Sequence, residues 1–322
     1  MLAGTTLVTG ATGFAGSHLL DKLADCAPLI AWHRPKGHPP DPNRHLDWRS
    51  VDLLDAAEVA HAVADSAPSQ IFHLAGAPQV ASSFRSAIEH LQTNVMGTHN
   101  LLEAVRKSGR PCRVLVVTSA QVYQASDEPI DESAPLVPAS PYGLSKLGED
   151  QLATRACEDD GLDVVIARPF NHAGPRQSAA YAVSSFARQI ARIEAGLAPP
   201  ELLVGNLETR RDMTDVRDVV EAYELMMQHA PAGRPFNICS GRAWRIGDLL
   251  DELLHLARVP ITVRLDADRL RPSDTPVLQG DATRIRSELG WTPRIRVEQM
   301  LSDTLEWWRQ QTTNNLQPTT NN

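Results

Sequence analysis

Short apolar runs alternate with amphipathic helical patterns through the first half of the chain. The runs have the length and the β-branched composition of buried strands. Strands are predicted at Thr5–Thr9, Leu29–Trp32, Ile71–Leu74, Val114–Thr118 and Val164–Arg168. Helices are predicted at Gly13–Ala24, Ala56–Asp65, Ala87–Ser108 and Tyr142–Glu158. Because strands that alternate with helices form parallel sheets, we expect an α/β fold with a doubly wound parallel sheet.

The pattern becomes less regular after residue 170, where proline-rich joints at 199–200, 231–235 and 272–276 separate short segments. Such joints are typical of loops between small elements. We therefore divide the chain into a first domain of residues 1–170 and a smaller irregular lobe of residues 171–311, some segments of which return to the first domain. The polar tail of residues 312–322 is predicted to be disordered.

A glycine turn joins the first predicted strand to the first predicted helix. Its glycines permit a tight turn and a close approach of the backbone to a pyrophosphate, which then lies at the positive end of the helix. The turn therefore predicts a dinucleotide site in a Rossmann-like first domain, although a tight turn without a ligand would use the same residues. The predicted cofactor contacts of the turn are Gly10, Thr12, Gly13, Phe14, Ala15 and Gly16.

The end of the second predicted strand bears on the choice of dinucleotide. An acid there would bind the ribose 2'-hydroxyl of NAD, but the chain has Arg34 and no acid at this point. Arg34 can pair with a 2'-phosphate, so we favour NADP (NADPH) over NAD. Asp52 and Leu53 are expected at the adenine, after a short third strand. Asp52 could equally cap a helix, a role for which Asp55 competes.

Tyr142 is followed four residues later by Lys146, in a chain where only four of the 31 basic residues are lysines. Ser140 and Pro141 before them are typical of a helix start. Four residues are about one helical turn, so the phenol and the ammonium share a face. A nearby cation lowers the pKa of a tyrosine, which can then act as a general acid or base. A buried tyrosine beside a solvated lysine is the alternative.

Composition narrows the classes of partner. The net charge is -8 and no basic stripe occurs, which argues against nucleic acid. No apolar run reaches membrane-spanning length and no signal peptide precedes the first strand, so we expect a cytoplasmic protein with no membrane partner. The four isolated cysteines have no metal or redox spacing, and we expect no metal. They are Cys26, Cys112, Cys157 and Cys239.

Three segments together resemble the extended short-chain dehydrogenase/reductase family: the glycine turn, the Tyr142–Lys146 pair and the strand end Val117–Tyr123. The likeness covers nearly the whole chain. Within the family, the second half is most similar to the GDP-4-dehydro-6-deoxy-D-mannose reductases, which act on GDP-deoxyhexoses. The segments that carry this likeness are 170–175, 204–208, 211–212, 215–218 and 269–274.

The resemblance implies a role for each matching residue. Ser119 would hold the substrate oxygen, Tyr142 would be the general acid, and Lys146 would bind the nicotinamide ribose. The further cofactor contacts that it implies are Leu74, Ala75, Gly76, Asn94 and Pro169. The substrate contacts that it implies are Gln121, Asn171, Val183, Val204, Asn206, Arg211, Arg271 and Asp274. Arg210, Arg217 and Arg269 compete for the diphosphate.

Members of this family reduce, epimerise or dehydrate a nucleotide sugar. The dehydratases carry an acid next to their active-site threonine, whereas this chain has Ser119-Ala120-Gln121 there. We therefore predict NADPH-dependent reduction of the C4 ketone of a GDP-4-keto-6-deoxy-hexose, giving GDP-D-rhamnose or its C4 epimer. The alternatives are a 4-epimerase with tightly bound NAD, a GDP-mannose 4,6-dehydratase and a non-catalytic NADP-sensing scaffold. We expect a homodimer formed through Ala87–Ser108 and Tyr142–Glu158.

Overall fold

The computed structural model describes residues 4–25, 28–35, 37, 46–78, 80–270 and 275–314. The strands are β1 (Thr6–Thr9), β2 (Leu29–His33), β3 (Asp47–Ser50), β4 (Gln70–His73), β5 (Arg113–Val117), β6 (Asp163–Pro169), β7 (Asn171–Ala173), β8 (Glu201–Val204), β9 (Arg210–Asp215), β10 (Pro235–Ile238), β11 (Ala243–Arg245), β12 (Thr262–Leu265) and β13 (Val277–Leu278). The helices are α1 (Phe14–Lys22), α2 (Ala56–Ser66), α3 (Val80–Ser83), α4 (Ala87–Leu91), α5 (Gly97–Ser108), α6 (Pro141–Glu158), α7 (Ala182–Glu194), α8 (Val216–His229), α9 (Ile246–His255), α10 (Thr283–Leu289) and α11 (Val297–Asn314).

Seven parallel strands form the large sheet, in the order β10-β6-β5-β4-β1-β2-β3. The chain moves outward from β1 to β2 and β3, then returns to β4 on the other side of β1. This reversal creates a crevice at the carboxyl ends of β1 and β4, where doubly wound sheets bind their ligands. The predicted fold class is confirmed.

Two apolar layers cover the two faces of the sheet. Successive residues of a strand point to opposite faces, so Val8 packs in the layer with α1 and α8 while Leu7 packs in the layer with α2, α5 and α6. Both side chains are fully buried. Burying an aliphatic side chain of this size stabilises the fold by about 1.5–3 kcal/mol, so these layers hold the strand ends rigidly.

The later part of the chain builds a smaller lobe with its own apolar core. Strand β9 is central to it, pairing with β7, β11 and β13, while β8 pairs with β12. Helices α7, α9 and α11 pack together over this lobe, with Ile190, Leu249 and Leu301 fully buried between them. Strand β10 leaves the lobe and pairs with β6 in the large sheet.

Two element predictions are wrong in part. The predicted helix over Ala87–Ser108 is interrupted between α4 and α5 by a π-helical turn, Gln92–Met96, which carries the buried Asn94. The predicted disordered tail begins too early, because α11 continues to Asn314. There the hydroxyl of Thr312 donates to the Trp308 carbonyl oxygen at 2.8 Å. The rest of that tail lies outside the described residues.

Candidate active site

The glycine turn lies against the end of β4. Gly10 has a φ of +65°, and a Cβ there would stand 2.6 Å from the Ala75 nitrogen. Only glycine combines this left-handed conformation with so close an approach. The turn that leads into α1 therefore lies next to Leu74 and Ala75. Gly76 lies toward α6, since a Cβ there would stand 3.4 Å from Lys146 Nζ.

The start of α1 has no capping side chain, because Gly13 is its N-cap residue. The first amides of a helix have no partner inside the helix, and together they form its positive end. A bound pyrophosphate satisfies such amides. The amides of Phe14, Ala15 and Gly16 therefore fit the diphosphate of NADPH, and the neighbouring Thr12 is exposed.

The residues that would choose the dinucleotide lie at the ends of β2 and β3. Arg34 follows β2 directly and is exposed. Asp55 caps α2 by accepting from the amides of Ala57 and Glu58, both at 3.0 Å. The alternative role of Asp52 as a helix cap is therefore wrong, and its carboxylate instead accepts from the Leu54 amide.

Leu53 is placed against α5 at the same end of the sheet. Its carbonyl oxygen accepts from the side-chain amide of Asn100 at 2.8 Å. A Cβ on Gly97 of α5 would stand 3.3 Å from the Leu53 Cβ. Asp52 and Leu53 are both half-buried, so this corner has an apolar wall beside a carboxylate.

The three predicted catalytic residues meet where β5 ends and α6 begins. Ser140 caps α6 by accepting from the Gly143 amide at 3.0 Å, and Pro141 occupies the first turn. This start fixes Tyr142, which is 9% exposed and hydrogen-bonds Ser119. Lys146 donates from Nζ to the Val117 carbonyl oxygen at 3.0 Å.

A close contact between α6 and the segment after β5 brings these residues together. A Cβ on Gly143 would overlap the carbonyl oxygen of Gln121. Glycine at this position therefore lets the helix approach the strand end that carries Ser119. The side chain of Gln121 is half-buried, and the backbone N–H of Gln121 donates to the Ser119 hydroxyl oxygen at 3.2 Å.

Asn94 braces the cofactor side of this site. Its side-chain oxygen accepts from the Ala77 amide at 2.7 Å, and its amide group donates to the Ser145 hydroxyl at 2.8 Å. The π-helical turn is what directs Asn94 inward. The loop after β4 is thus tied to α6 one residue before Lys146.

The expectation that Lys146 lowers the pKa of Tyr142 below its ordinary value is wrong. Burial raises the pKa of this phenol above its ordinary value, while Lys146 and the hydrogen bond from Ser119 lower it. The effect of Lys146 has the predicted sign, but the desolvation outweighs it. Glu149 raises the pKa further, so Tyr142 rests as a phenol.

A buried network that was not predicted from the sequence lies behind Lys146. Glu149 is 2.7 Å from Lys146 Nζ and accepts from the Thr98 hydroxyl at 3.3 Å. Thr98 lies 3.0 Å from His73 Nε2, and Thr9 lies 2.7 Å from His73 Nδ1. The spacing of Glu149, three residues after Lys146, places the two on one face of a helix and could have revealed the pair.

A second missed pair lies under the strand ends. Arg168 binds Asp150 through two hydrogen bonds of 2.8 and 2.7 Å, and both side chains are buried. Asp150 also accepts from the Thr118 hydroxyl at 3.2 Å. Because Thr118 precedes Ser119, this pair fixes the strand end that carries the Ser119 hydroxyl. Pro169, buried at the end of β6, completes the edge.

The predicted substrate residues come from the smaller lobe and its junction with the sheet. The side-chain oxygen of Asn171 is buried without a partner among the described residues. Arg211 donates to the Thr275 carbonyl oxygen at 2.7 Å. Asn206 accepts from the Glu208 amide at 2.9 Å, and Val183 and Val204 are buried in the core of the lobe. Arg271 and Asp274 lie outside the described residues.

The described residues hold no group of three or more histidine, cysteine or acidic side chains that could bind a metal ion. No helix in the described part of the chain is both long enough and apolar enough to cross a membrane.

The sequence is similar to those of known nucleotide-sugar enzymes. A family model described as GDP-mannose 4,6 dehydratase matches residues 7–304. The chain is 36% identical to the GDP-6-deoxy-D-mannose reductase of Pseudomonas aeruginosa, with 94% of this chain and 96% of the relative covered. It is 32% identical to the UDP-glucose 4-epimerase of Azospirillum brasilense, with 94% and 91% covered.

Solved structures of nucleotide-sugar enzymes share the fold of this chain. RMD from Pseudomonas aeruginosa, complexed with NADPH, has a TM-score of 0.84 and 33% identity, with 96% of this chain and 100% of that chain covered. The UDP-glucose 4-epimerase of Thermotoga maritima, with UDP-glucose, has a TM-score of 0.86 and 27% identity, with 96% and 99% covered.

Proposed function

Because the chain belongs to the GDP-mannose 4,6 dehydratase family, within the extended short-chain dehydrogenases/reductases, we propose that it reduces the C4 ketone of a GDP-4-keto-6-deoxy-hexose with NADPH. The product is GDP-D-rhamnose or its C4 epimer. The protein is an NAD(P)-dependent enzyme of nucleotide-sugar metabolism. Its identity of 36% to the Pseudomonas reductase favours reduction within this family.

One observation carries the choice of reaction: Ser119 and Tyr142 meet at the strand end, and among the described residues no carboxylate follows Ser119 there. Gln121 stands where an eliminating enzyme needs a base. The carboxylates that α6 brings to this region, Glu149 and Asp150, are at most 1% exposed and pair with Lys146 and Arg168. Neither is placed to remove a proton from a sugar, so dehydration is disfavoured.

Each residue of the site has a separate role in the proposed reduction of the ketone. When bound, NADPH supplies the hydride. Ser119 and Tyr142 direct their hydroxyl groups at the carbonyl oxygen and stabilise the negative charge that develops on it. Tyr142 donates its proton to that oxygen. Lys146 stabilises the tyrosinate that remains, until a proton from solvent restores the phenol.

The cofactor residues follow from the shape of the turn at the start of the chain. We assign the diphosphate to the amides of α1, the 2'-phosphate to Arg34, and the adenine to Asp52 and Leu53. We assign the nicotinamide end to Lys146 and to residues from four neighbouring elements. These are Leu74, Ala75 and Gly76 after β4, Asn94 in the π-helical turn, Tyr142 on α6 and Pro169 at the end of β6.

The substrate residues follow from the lobe that faces this edge. We assign residues 1–170 to the cofactor and residues 171–311 mainly to the nucleotide sugar. Asn171, through its side-chain NH2 group, and Arg211 are assigned as donors to the diphosphate of the sugar nucleotide. Arg271 would join them, and Val183, Val204, Asn206 and Asp274 would surround the nucleoside.

A 4-epimerase is the second candidate, since an epimerase is 32% identical over most of the chain. It would use Ser119, Tyr142 and Lys146 with tightly held NAD. An epimerase purifies with its dinucleotide and consumes none, whereas a reductase consumes NADPH in proportion to product.

The deciding experiment offers the purified protein NADPH and three enzymatically generated substrates, the GDP-, dTDP- and UDP-4-keto-6-deoxy-hexoses. We expect rapid oxidation of NADPH with the GDP-sugar alone, and NMR of the product gives the configuration at C4. Preference for the UDP- or dTDP-sugar would overturn the assignment of the base. Product formed without oxidation of NADPH would overturn reduction.

We also propose a homodimer, formed by α4, the π-helical turn and α6. Large apolar side chains are exposed along these neighbouring helices: Ile88 is 72%, Met96 47% and Leu144 51% exposed. Ile88→Glu should yield monomers in light scattering after size-exclusion chromatography. Leu265→Glu, at a residue 64% exposed in β12, is the control and should leave the dimer intact.

We place the protein in the cytoplasm. The three cysteines that the structure describes are free thiols, namely Cys112, Cys157 and Cys239. A reducing compartment keeps thiols in that state. Fractionation of the native host would check this location.

A further inference from the structure

Glu149 is a buried carboxylate that the proposed reaction does not use. It is 1% exposed, and Oε2 lies 2.7 Å from Nζ of Lys146. Taking two charges out of water is expensive, and removing one partner of a buried pair is more so. Lys146 also donates to the Val117 carbonyl oxygen, so two partners fix the direction of its ammonium group.

A chain of hydrogen bonds ends on this carboxylate. The Ala75 amide donates to the Thr9 hydroxyl at 3.3 Å, and Thr9 and Thr98 flank the two nitrogens of His73. Since Thr98 donates to Glu149, its oxygen accepts from His73 Nε2–H, which leaves Nδ1 to accept from Thr9. Every donor in the chain therefore points toward Glu149. An ionised carboxylate, which only accepts, fits this arrangement.

We propose that Glu149 is a positioning residue that acts through Lys146 to keep Tyr142 in the phenol form, which is the form that a ketone reduction consumes. The inference rests on the proposed function, because that reaction needs a proton donor. The ammonium of Lys146 favours the tyrosinate and the carboxylate of Glu149 favours the phenol. Without the carboxylate, the coupled Tyr142–Lys146 pair loses its first proton at lower pH.

The other titratable groups near Glu149 do not compete with it for Lys146. Asp150 pairs with Arg168, and burial and Lys146 together lower the pKa of His73 to about 3, so that its ring is neutral. On α4, His90 has its Nδ1 at 3.0 Å from the Ser86 carbonyl oxygen. Within the described ranges, Glu149 is the carboxylate that contacts Lys146.

The role of Glu149 is confined to neutral and alkaline pH. Burial raises the pKa of Glu149 to about 7. Its charge is therefore absent in acid, where Tyr142 is a phenol in any case, and present in alkali, where Tyr142 would otherwise begin to ionise. An effect on the pH profile separates this role from a purely structural one.

The test is a titration of the phenolate absorbance of the free protein, with the matching Tyr142→Phe protein subtracted as background. Glu149→Gln should move the Tyr142 transition about one pH unit lower than in the wild type. In the reduction, the alkaline fall of kcat/KM should move to lower pH by the same amount, about one pH unit. Glu158→Gln, at an exposed residue of the same helix, is the control and should move neither.

Two further variants keep the outcome decisive. Glu149→Ala also removes the carboxylate, and should shift the transition in the same direction even if Glu149→Gln does not fold. Glu149→Asp keeps the charge and should stay near the wild type. Coincident transitions in Glu149→Gln, or in Glu149→Ala should Glu149→Gln not fold, overturn the proposal. The titration needs no sugar, so it decides this point even if the GDP-sugar is not reduced.

Discussion

Gly10 and Ala75 are in direct backbone contact, since a Cβ on Gly10 would stand 2.6 Å from the Ala75 nitrogen. The contact joins the ends of β1 and β4, the two strands between which the chain reverses direction. The tightness of the dinucleotide site therefore depends on one missing methyl group. This relationship gives a first prediction with a matched control.

Gly10→Ala should lower the free energy of unfolding by more than about 2 kcal/mol, because it adds a steric clash to a left-handed backbone conformation. It should also abolish binding of NADPH. Gly109 has a similar φ of +63° with nothing within 4 Å of its Cβ position, so Gly109→Ala should lose about 1–2 kcal/mol and bind NADPH normally. Urea unfolding and NADPH fluorescence measure both quantities. Equal loss in the two variants would show that the contact with Ala75 does not matter.

Tyr142→Phe should fold, bind NADPH and lose about 10²–10⁴-fold in kcat, because the proton donor is gone. Tyr223→Phe is the control. Its hydroxyl is buried without a hydrogen-bond partner among the described residues, so its removal should leave turnover unchanged. Steady-state oxidation of NADPH measures the rates. Turnover near the wild-type rate in Tyr142→Phe would exclude Tyr142 as the acid.

Arg34→Ala should weaken the binding of NADPH by about 10- to 100-fold, which is the worth of a charge-assisted contact of about 1.5–3 kcal/mol. Binding of NADH should change little, since NADH lacks the 2'-phosphate. Arg110→Ala, at an exposed residue before β5, where the amino ends of the parallel strands lie, should affect neither dinucleotide. Fluorescence titration gives the Kd values. A parallel loss for NADPH and NADH would remove the argument for NADP.

Asp150→Asn should lower the free energy of unfolding by about 3–5 kcal/mol, because it leaves Arg168 buried without its partner. The comparison is Asp159→Asn on the same helix. The ion pair of Asp159 with Arg155 is exposed, so this variant should lose no more than about 0.5 kcal/mol. Urea denaturation measures both. A small loss in Asp150→Asn would mean that the pair does not brace the strand under Ser119.

Local patterns were enough to predict the elements that build the first domain. The period of apolar residues located β1, β4, β5 and β6 to within a residue or two, because buried strands leave long apolar runs. Ser140 and Pro141 predicted the start of α6 correctly, since a cap is a purely local interaction. The glycine turn and the Tyr142–Lys146 pair are likewise encoded within a few residues.

Features that depend on distant contacts could not be predicted in this way. The π-helical turn directs Asn94 to hydrogen bonds with Ala77 and Ser145, which lie 17 and 51 residues away and are therefore not visible in the local pattern. The raised pKa of Tyr142 depends on burial by the whole fold, which the spacing to Lys146 does not contain. Glu149 was within reach of helical spacing, but its partner Thr98 belongs to another helix.

The position of β10 beside β6 has a consequence for how the protein is made. Its four residues, Pro235–Ile238, are synthesised after β7, β8 and β9 of the smaller lobe, yet they complete the large sheet, whose first strand begins at Thr6. During translation the large sheet therefore stays incomplete until β10 has been synthesised and can pair with β6. A fragment that ends near residue 170 would expose the free edge of β6 to other chains. We therefore expect the two parts to fold as one unit after synthesis.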